Sequence, residues 1–244
     1  MLSRRGKRFQ SFRGIRYAQP PVGELRFQPP QMIMNYTTEV DATQEGPACP
    51  QPVYNNYPVD EDCLRLNVYR PDGNTNKLPV LVFMHAGGFY SVSGRSDVAG
   101  PSHLLDRDIV LVTINYRLGS LGLFQRAISM SGSPISQIVI PRHQRHLAVR
   151  QAELLQCPTN SSQAIINCLK TKTSKQLGDS LDNMFDFGYD PVLLWVPIQE
   201  QDFGQGEMFM PRQPLEALCS GDLQQVPYII SQTQDEFFWK ALGE

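Results

Sequence analysis

Two apolar runs, Pro79 to Met84 and Ile109 to Ile114, constrain this chain more than any other feature of it. Each has the length of a strand and lacks the polar alternation of a half-exposed one, which predicts two strands buried on both faces. Leu64 to Tyr69 does alternate, and predicts a strand with one wet face. Helical spacing appears in Gln144 to Gln156, where Leu147, Val149, Ala152, Leu154 and Leu155 are expected to face inward. Ser161 to Leu169 and Ser174 to Phe185 are further helix candidates. Arg126 to Met130 and Val226 to Ser231 return to strand character. Such alternation of strand and helix predicts an α/β body on a mainly parallel sheet. The first sixty residues differ: prolines at 20, 21, 29, 30, 47, 50, 52 and 58 predict an irregular, surface-hugging segment punctuated by short strands. No repeat, low-complexity tract or flexible linker divides the chain, so residues 1–244 read as a single domain.

A net charge of -2 and a pI near 6.1 provide no basic field for a phosphate backbone, which argues against nucleic acid as a partner. No apolar run approaches the roughly eighteen residues of a membrane helix. Met1 to Phe12 is basic but has no apolar stretch behind it, and so fails as a secretory signal. The cysteines point the other way. Cys49 and Cys63 are close in sequence, as are Cys157 and Cys168, and neither pair has the spacing of a zinc or redox motif, so two short-loop disulfides are the better reading. Asn35-Tyr36-Thr37 and Asn160-Ser161-Ser162 are glycosylation sequons on polar segments. Both features favour a secreted parent. Cys219 is left over, and reads as a small buried side chain.

The strongest local signal for chemistry lies where Pro79 to Met84 runs into His85-Ala86-Gly87-Gly88-Phe89. Glycines directly after a buried strand let backbone N–H groups approach a ligand, as an oxyanion hole requires. A plain glycine turn leaving a strand has the same sequence, and the motif alone leaves both readings open.

Three longer motifs narrow the choice. Phe12-Arg13-Gly14-Ile15-Arg16-Tyr17-Ala18-Gln19-Pro20-Pro21-Val22-Gly23-Glu24-Leu25-Arg26-Phe27 resembles the signature near the start of type-B carboxylesterases and cholinesterases. Glu61 to Val68 is similar to that family's second signature, and Asn115-Tyr116-Arg117-Leu118-Gly119 to a third. The stretch from Phe185 to Pro214 is similar to insect members. The resemblance spans nearly the whole chain and implies an incomplete α/β-hydrolase fold. It further implies disulfides Cys49–Cys63 and Cys157–Cys168, each contributing roughly 3 kcal/mol in the loop-entropy model. Gly87 and Gly88 would supply two oxyanion donors, with Ala86 standing where a glycine is usual. Asp235-Glu236 resembles the element carrying the catalytic acid, which makes Glu236 the group that would orient a histidine, although Phe237 replaces the usual glycine after it.

The nucleophile breaks the match. In this fold a serine sits in a GxSxG elbow between strand and helix, and no GxSxG occurs in these residues. The family places a helix, a central strand and the elbow between the Asn115 motif and a strand resembling Arg126 to Met130. Here Gly122-Leu123-Phe124 passes straight into Gln125-Arg126, as though that segment had been deleted. Ser129, Ser131 and Ser133 lie nearby, but a hydroxyl needs an activating base. His85 belongs to the glycine motif, His103 lies in a polar connection, and His143 and His146 flank a helix start. The family's catalytic histidine would fall beyond Glu244. A metal at His143 and His146 would lack a third ligand, and no cofactor is implied, because serine-hydrolase chemistry needs only nucleophile, base and oriented donors.

The sequence therefore predicts a member of a carboxylic-ester hydrolase family that does not turn over, whose intact parent would take small-molecule carboxylic esters. The competing reading is a non-catalytic secreted binding or adhesion protein of the cholinesterase-like class.

Overall fold

A computed structural model describes residues 1–52, 57–73, 77–118, 140–141, 143–186, 191, 193–202, 208 and 210–221. The chain divides into two compact units, Met1–Leu123 with Arg145–Trp195, and Phe124–Gln144 with Val196–Glu244. The candidate strands at Arg126 to Met130 and Val226 to Ser231 lie outside the described residues.

The first unit holds a four-stranded sheet of β1 (Phe9–Arg16), β2 (Arg65–Pro71), β3 (Val80–Met84) and β4 (Val110–Ile114), in the order β1-β2-β4-β3. β3 and β4 run parallel, whereas β2 is antiparallel to both β1 and β4. The described sheet is thus mixed rather than mainly parallel. Parallel neighbours need a crossover of a dozen or more residues; residues 85–109 provide one between β3 and β4, including a short 3-10 turn at Leu104–Asp106. One face of the sheet closes over Phe9, Tyr69, Leu105 and Leu111, with Leu81 and Phe83 against them. Phe9 meets Tyr69 edge-on, with ring centroids 6.3 Å apart.

The expectation that β3 is buried on both faces fails. Val80 is 62 % and Val82 42 % exposed, and among the described residues β3 pairs only with β4. A continuous apolar run signals a strand meant for cover on both sides, and the described residues place cover on Leu81 and Phe83 alone. In β4 the burial alternates, with Leu111 and Thr113 inside.

β1 shifts register against β2 between Phe12 and Ile15, at the glycine of the first signature. Gly14 has φ +68°, and a Cβ there would lie 2.6 Å from the Gln44 carbonyl oxygen. Its N–H donates to Asn67 Oδ1 at 2.8 Å. Buried Asn67 then donates to Gly94 O (3.1 Å) and Thr113 Oγ1 (3.2 Å), so one amide ties β1, β2, β4 and the crossover together.

Among the described residues of this unit are three α-helices, α1 (Arg145–Leu154), α2 (Ser162–Thr171) and α3 (Ser174–Asp179), the last continued by a 3-10 turn at Ser180–Asn183. Ser161 caps α2 through its side chain. Thr173 and Gln176 form a capping box on α3, and the start expected at Ser174 follows from it. The helices bury Ala152, Cys157, Ile165, Leu169 and Leu177 together. The expected inward face of α1 needs correction: Leu154 is 41 % exposed, while Gln151 is wholly buried. The Gln151 amide nitrogen donates to Leu177 O (3.3 Å) and Ser180 Oγ (3.0 Å), which offsets the burial of that group, while Oε1 is buried without a partner.

Disulfides join Cys49 to Cys63 and Cys157 to Cys168, across sequence separations of 14 and 11 residues. The second closes the loop leading into α2. At the far end of α2, Arg26 donates to the carbonyls of Leu169 (3.2 Å), Lys170 (3.0 Å) and Lys172 (2.6 Å) and makes a two-pronged ion pair with Glu61. Both side chains are at least nine-tenths buried. The proline-rich segment is therefore bolted to the helical layer by a cation placed where the helix dipole is negative.

The second unit is described only in part. Val196 and Gln144 exchange hydrogen bonds, Gln199 N–H reaches Pro141 O (3.4 Å), and Glu200 N–H reaches Met210 O (2.9 Å). α4 (Pro214–Cys219) starts on a proline, whose fixed φ suits the first helical turn. Cys219 at its end is exposed, not the buried small side chain expected, because so short a helix covers little beyond itself.

Candidate active site

Strand β3 delivers the chain into the glycine motif. His85 is buried and stacks on Tyr116, with ring centroids 4.3 Å apart and planes 9° from parallel. Tyr116 returns its hydroxyl to His85 O at 2.6 Å, while His85 Nδ1 lies 2.8 Å from Ala86 O, which fixes the proton on Nδ1. The third signature thus holds the start of the motif. Burial pushes the imidazole down to about 4, with the Ala86 hydrogen bond opposing. His85 accordingly folds neutral and takes up a proton on unfolding below pH 6.5, so its share of stability is complete above that value and is lost as pH falls towards 4. Chemical denaturation is expected to show about 2 kcal/mol less stability from this group near pH 5 than near pH 7. His85→Phe keeps the stacked ring and removes that step; an unchanged pH dependence in the variant would rule His85 out as its source.

Beyond His85 the backbone turns sharply. Gly87, Gly88 and Phe89 all have positive φ (120°, 58° and 65°), and Gly87 O accepts from Tyr90 N (3.1 Å), Ser91 N (3.0 Å) and Ser91 Oγ (3.1 Å). The N–H groups of Gly87 and Gly88 donate to no acceptor among the described residues. Two adjacent donors on a rigid turn at a strand end are the arrangement that stabilises negative charge developing on a carbonyl oxygen.

The far end of the turn is held by side chains that sequence reasoning missed. Gln51 receives Val92 N–H on Oε1 and donates to Val92 O, both at 2.8 Å, so one buried amide holds the Val92 backbone through both of its polar groups. Val92 keeps φ +77° under that grip. Asn115 accepts from Ser93 Oγ (3.0 Å) and Gly94 N (2.9 Å) and donates to Pro47 O (2.9 Å). Its place at the end of an apolar strand was the available signal, since a buried amide there must find partners.

Of the other predicted residues, Glu236, Ser129, Ser131 and Ser133 lie outside the described residues. His103, His143 and His146 are exposed, as are Asn35 and Asn160. Among the described residues no group of three His, Cys, Asp or Glu could hold a metal ion, and no helix is long and apolar enough to cross a membrane.

Comparison with known proteins settles the family. Two segments of the chain, residues 2–124 and 120–243, match the model of the carboxylesterase family. The chain belongs to the carboxylesterase family. Among the relatives of this carboxylesterase chain is a juvenile hormone esterase of Tribolium castaneum, 30% identical over 98% of the chain and 53% of that protein. A carboxylic ester hydrolase of Bombus ignitus is 29% identical over 96% of the chain and 54% of that protein. The chain thus spans about half the length of these curated relatives. The crystal structure of juvenile hormone esterase from Manduca sexta, with OTFP covalently attached to that protein, superposes with a TM-score of 0.73. At 23% identity over 88% of this chain and 54% of that one, it establishes the fold, a partial α/β-hydrolase.

The comparisons also expose an internal loss. The Tribolium alignment runs over 311 positions although this chain has 244 residues, so at least 67 positions have no counterpart here. The two family segments meet at 120–124, where the sequence passes from the Asn115 motif straight to Gln125.

Proposed function

We propose that this chain is a carboxylesterase-fold protein without ester turnover: it keeps an oxyanion loop at Gly87 and Gly88 and has lost its nucleophile with the segment missing at residues 120–124. The observation that carries this reading is the absence of any GxSxG from a sequence whose family matches abut at that join. A serine esterase divides acyl transfer into two steps through an activated serine. Two correctly placed donors stabilise an oxyanion only after something has attacked the carbonyl. In this reading Glu236 occupies the position of the acid that would orient a histidine, and the whole chain is part of one catalytic domain. The intact parent acts on small carboxylic esters. Its secretion is supported by the two disulfides and by Asn35 and Asn160, both exposed and both proposed glycan acceptors.

The test is hydrolysis of a short-chain nitrophenyl ester by the purified chain, together with labelling by an organophosphate probe of activated serines. Removing a serine nucleophile costs on the order of a million-fold in kcat, so the expected result is no burst, a rate at least about a million-fold below that of an intact esterase, and no label. Stoichiometric labelling with turnover would overturn the proposal and direct attention to Ser131.

A further inference from the structure

Four of the first eight residues are cations, Arg4, Arg5, Lys7 and Arg8. The fold makes a surface of this basic run. Ser3 N–H donates to Lys7 O (2.8 Å), Gly6 N–H donates to Ser3 O (3.0 Å), and Leu2 bridges antiparallel to Arg8, so the run doubles back as a tight hairpin with Gly6 at φ +80°. The crossover before β4 fixes the hairpin in place. Asp106 Oδ1 accepts from the buried Ser3 Oγ (2.7 Å) and from Arg5 N–H (3.0 Å), and Ser102 O accepts from Arg4 N–H (2.9 Å).

The charges do not cancel here. Arg4 Nε and Arg5 Nε each lie 3.8 Å from the same Asp106 Oδ2, so one carboxylate gathers two guanidinium groups and neutralises only one charge. Their side chains are 59% and 71% exposed, and the gathered pair faces water. Lys7 pairs with Asp108, whereas Arg8 and Arg107 are exposed and make no ion pair among the described residues. Five cations thus share two carboxylates on the hairpin and residues 106–108, in a chain whose net charge is -2. The hairpin itself is held by backbone groups, Ser3 and Asp106, so its structure does not require the exposed arginines.

We propose that the hairpin of residues 1–8, with Arg107, is a docking surface for a sulfated polysaccharide. A single exposed ion pair contributes little, but a polymer that repeats its anions engages several cations at once and releases the counterions condensed on it. Guanidinium groups present paired N–H donors to the oxygens of such an anion, and short runs rich in lysine and arginine are a footprint of heparin-like ligands. The choice of a glycan over a nucleic acid rests on the reading of the parent as secreted, where sulfated glycans are the polyanions at hand.

Fluorescence anisotropy of a labelled heparin octasaccharide, titrated with the full chain, tests the surface. With about three cations engaged, affinity is expected to fall about thirtyfold between about 50 mM and about 200 mM sodium chloride. Arg4→Gln with Arg5→Gln is expected to weaken binding about tenfold. Arg145→Gln with Lys175→Gln removes the same charge from α1 and α3 and is expected to leave affinity within about twofold. Asp106→Asn keeps an oxygen for Ser3 and the Arg5 N–H, frees both guanidinium groups, and is expected to tighten binding about threefold. The opposite shifts follow from the placement of charge, because both hairpin variants keep its backbone bonds. Equal losses in the hairpin and helix variants, or no saturable binding at the lower salt, overturn the proposal. A single-stranded DNA oligonucleotide of equal charge supports the glycan if it binds more weakly than heparin, and overturns that choice if it binds as tightly.

Discussion

Arg26→Ala is expected to lower the unfolding free energy by about 3–5 kcal/mol, measured by chemical denaturation against the wild type in one buffer. The loss exceeds that of an ordinary surface pair because nothing left behind can reach water. Glu61 keeps a carboxylate whose side chain is 9% exposed, and the carbonyls of Leu169, Lys170 and Lys172 lose the donor that closes α2. Those carbonyls carry the negative end of the helix dipole, so the arginine is both cap and counter-charge. Replacing both partners, as in Arg26→Met with Glu61→Leu, leaves no orphaned charge and should recover much of the loss. A single variant that loses less than about 1 kcal/mol would mean that the pair behaves as an exposed one.

Gly87→Ala is expected to cost about 4 kcal/mol, combining backbone strain with overpacking. At φ +120° a side chain is already disfavoured, and its Cβ would stand 2.2 Å from Ser91 O and 2.8 Å from Val92 Cγ2. The turn cannot yield at that end, because Val92 is held by Gln51 and the next residues by Asn115. Gly73→Ala is the control: φ is +71° there, but a Cβ meets nothing within 4 Å, so only the backbone term of about 1–2 kcal/mol remains. Equal losses in the two variants would show that the Ser91 contact relaxes away.

What could be read from the sequence was mostly local. β2 and β4 announce themselves by residue pattern, the helices expected from Ser161 and from Ser174 begin within one residue of those positions, and the glycine turn follows from its place after β3. β1 was hidden because its sequence is polar and broken by Gly14, and because its partner β2 lies some fifty residues away. The exposure of Val80 and Val82 could not be foreseen from their own chemistry, since an apolar run records what a strand was selected to pack against rather than what this chain supplies. Leu154 and Gln151 exchanged roles on α1 for a related reason: two acceptors at Leu177 and Ser180 made burial of an amide cheaper than periodicity suggests. At the site, Gly87 and Gly88 were legible as a pair. Gln51 was not, because its grip on Val92 spans forty-one residues and has no sequence signature.

The strand order has a consequence for how the protein is made. The four strands of the described sheet lie between Phe9 and Ile114, so every pairing among them is available once the first half of the chain has left the ribosome. Domains are built from the N-terminus at a pace that lets early segments settle before later ones appear. The nascent chain can therefore close β1 on β2 while the join at 120–124 is being made, whereas β4 ends just before that join and leaves the ribosome together with it, so β4 settles beside β2 and β3 only as the chain beyond the missing segment follows.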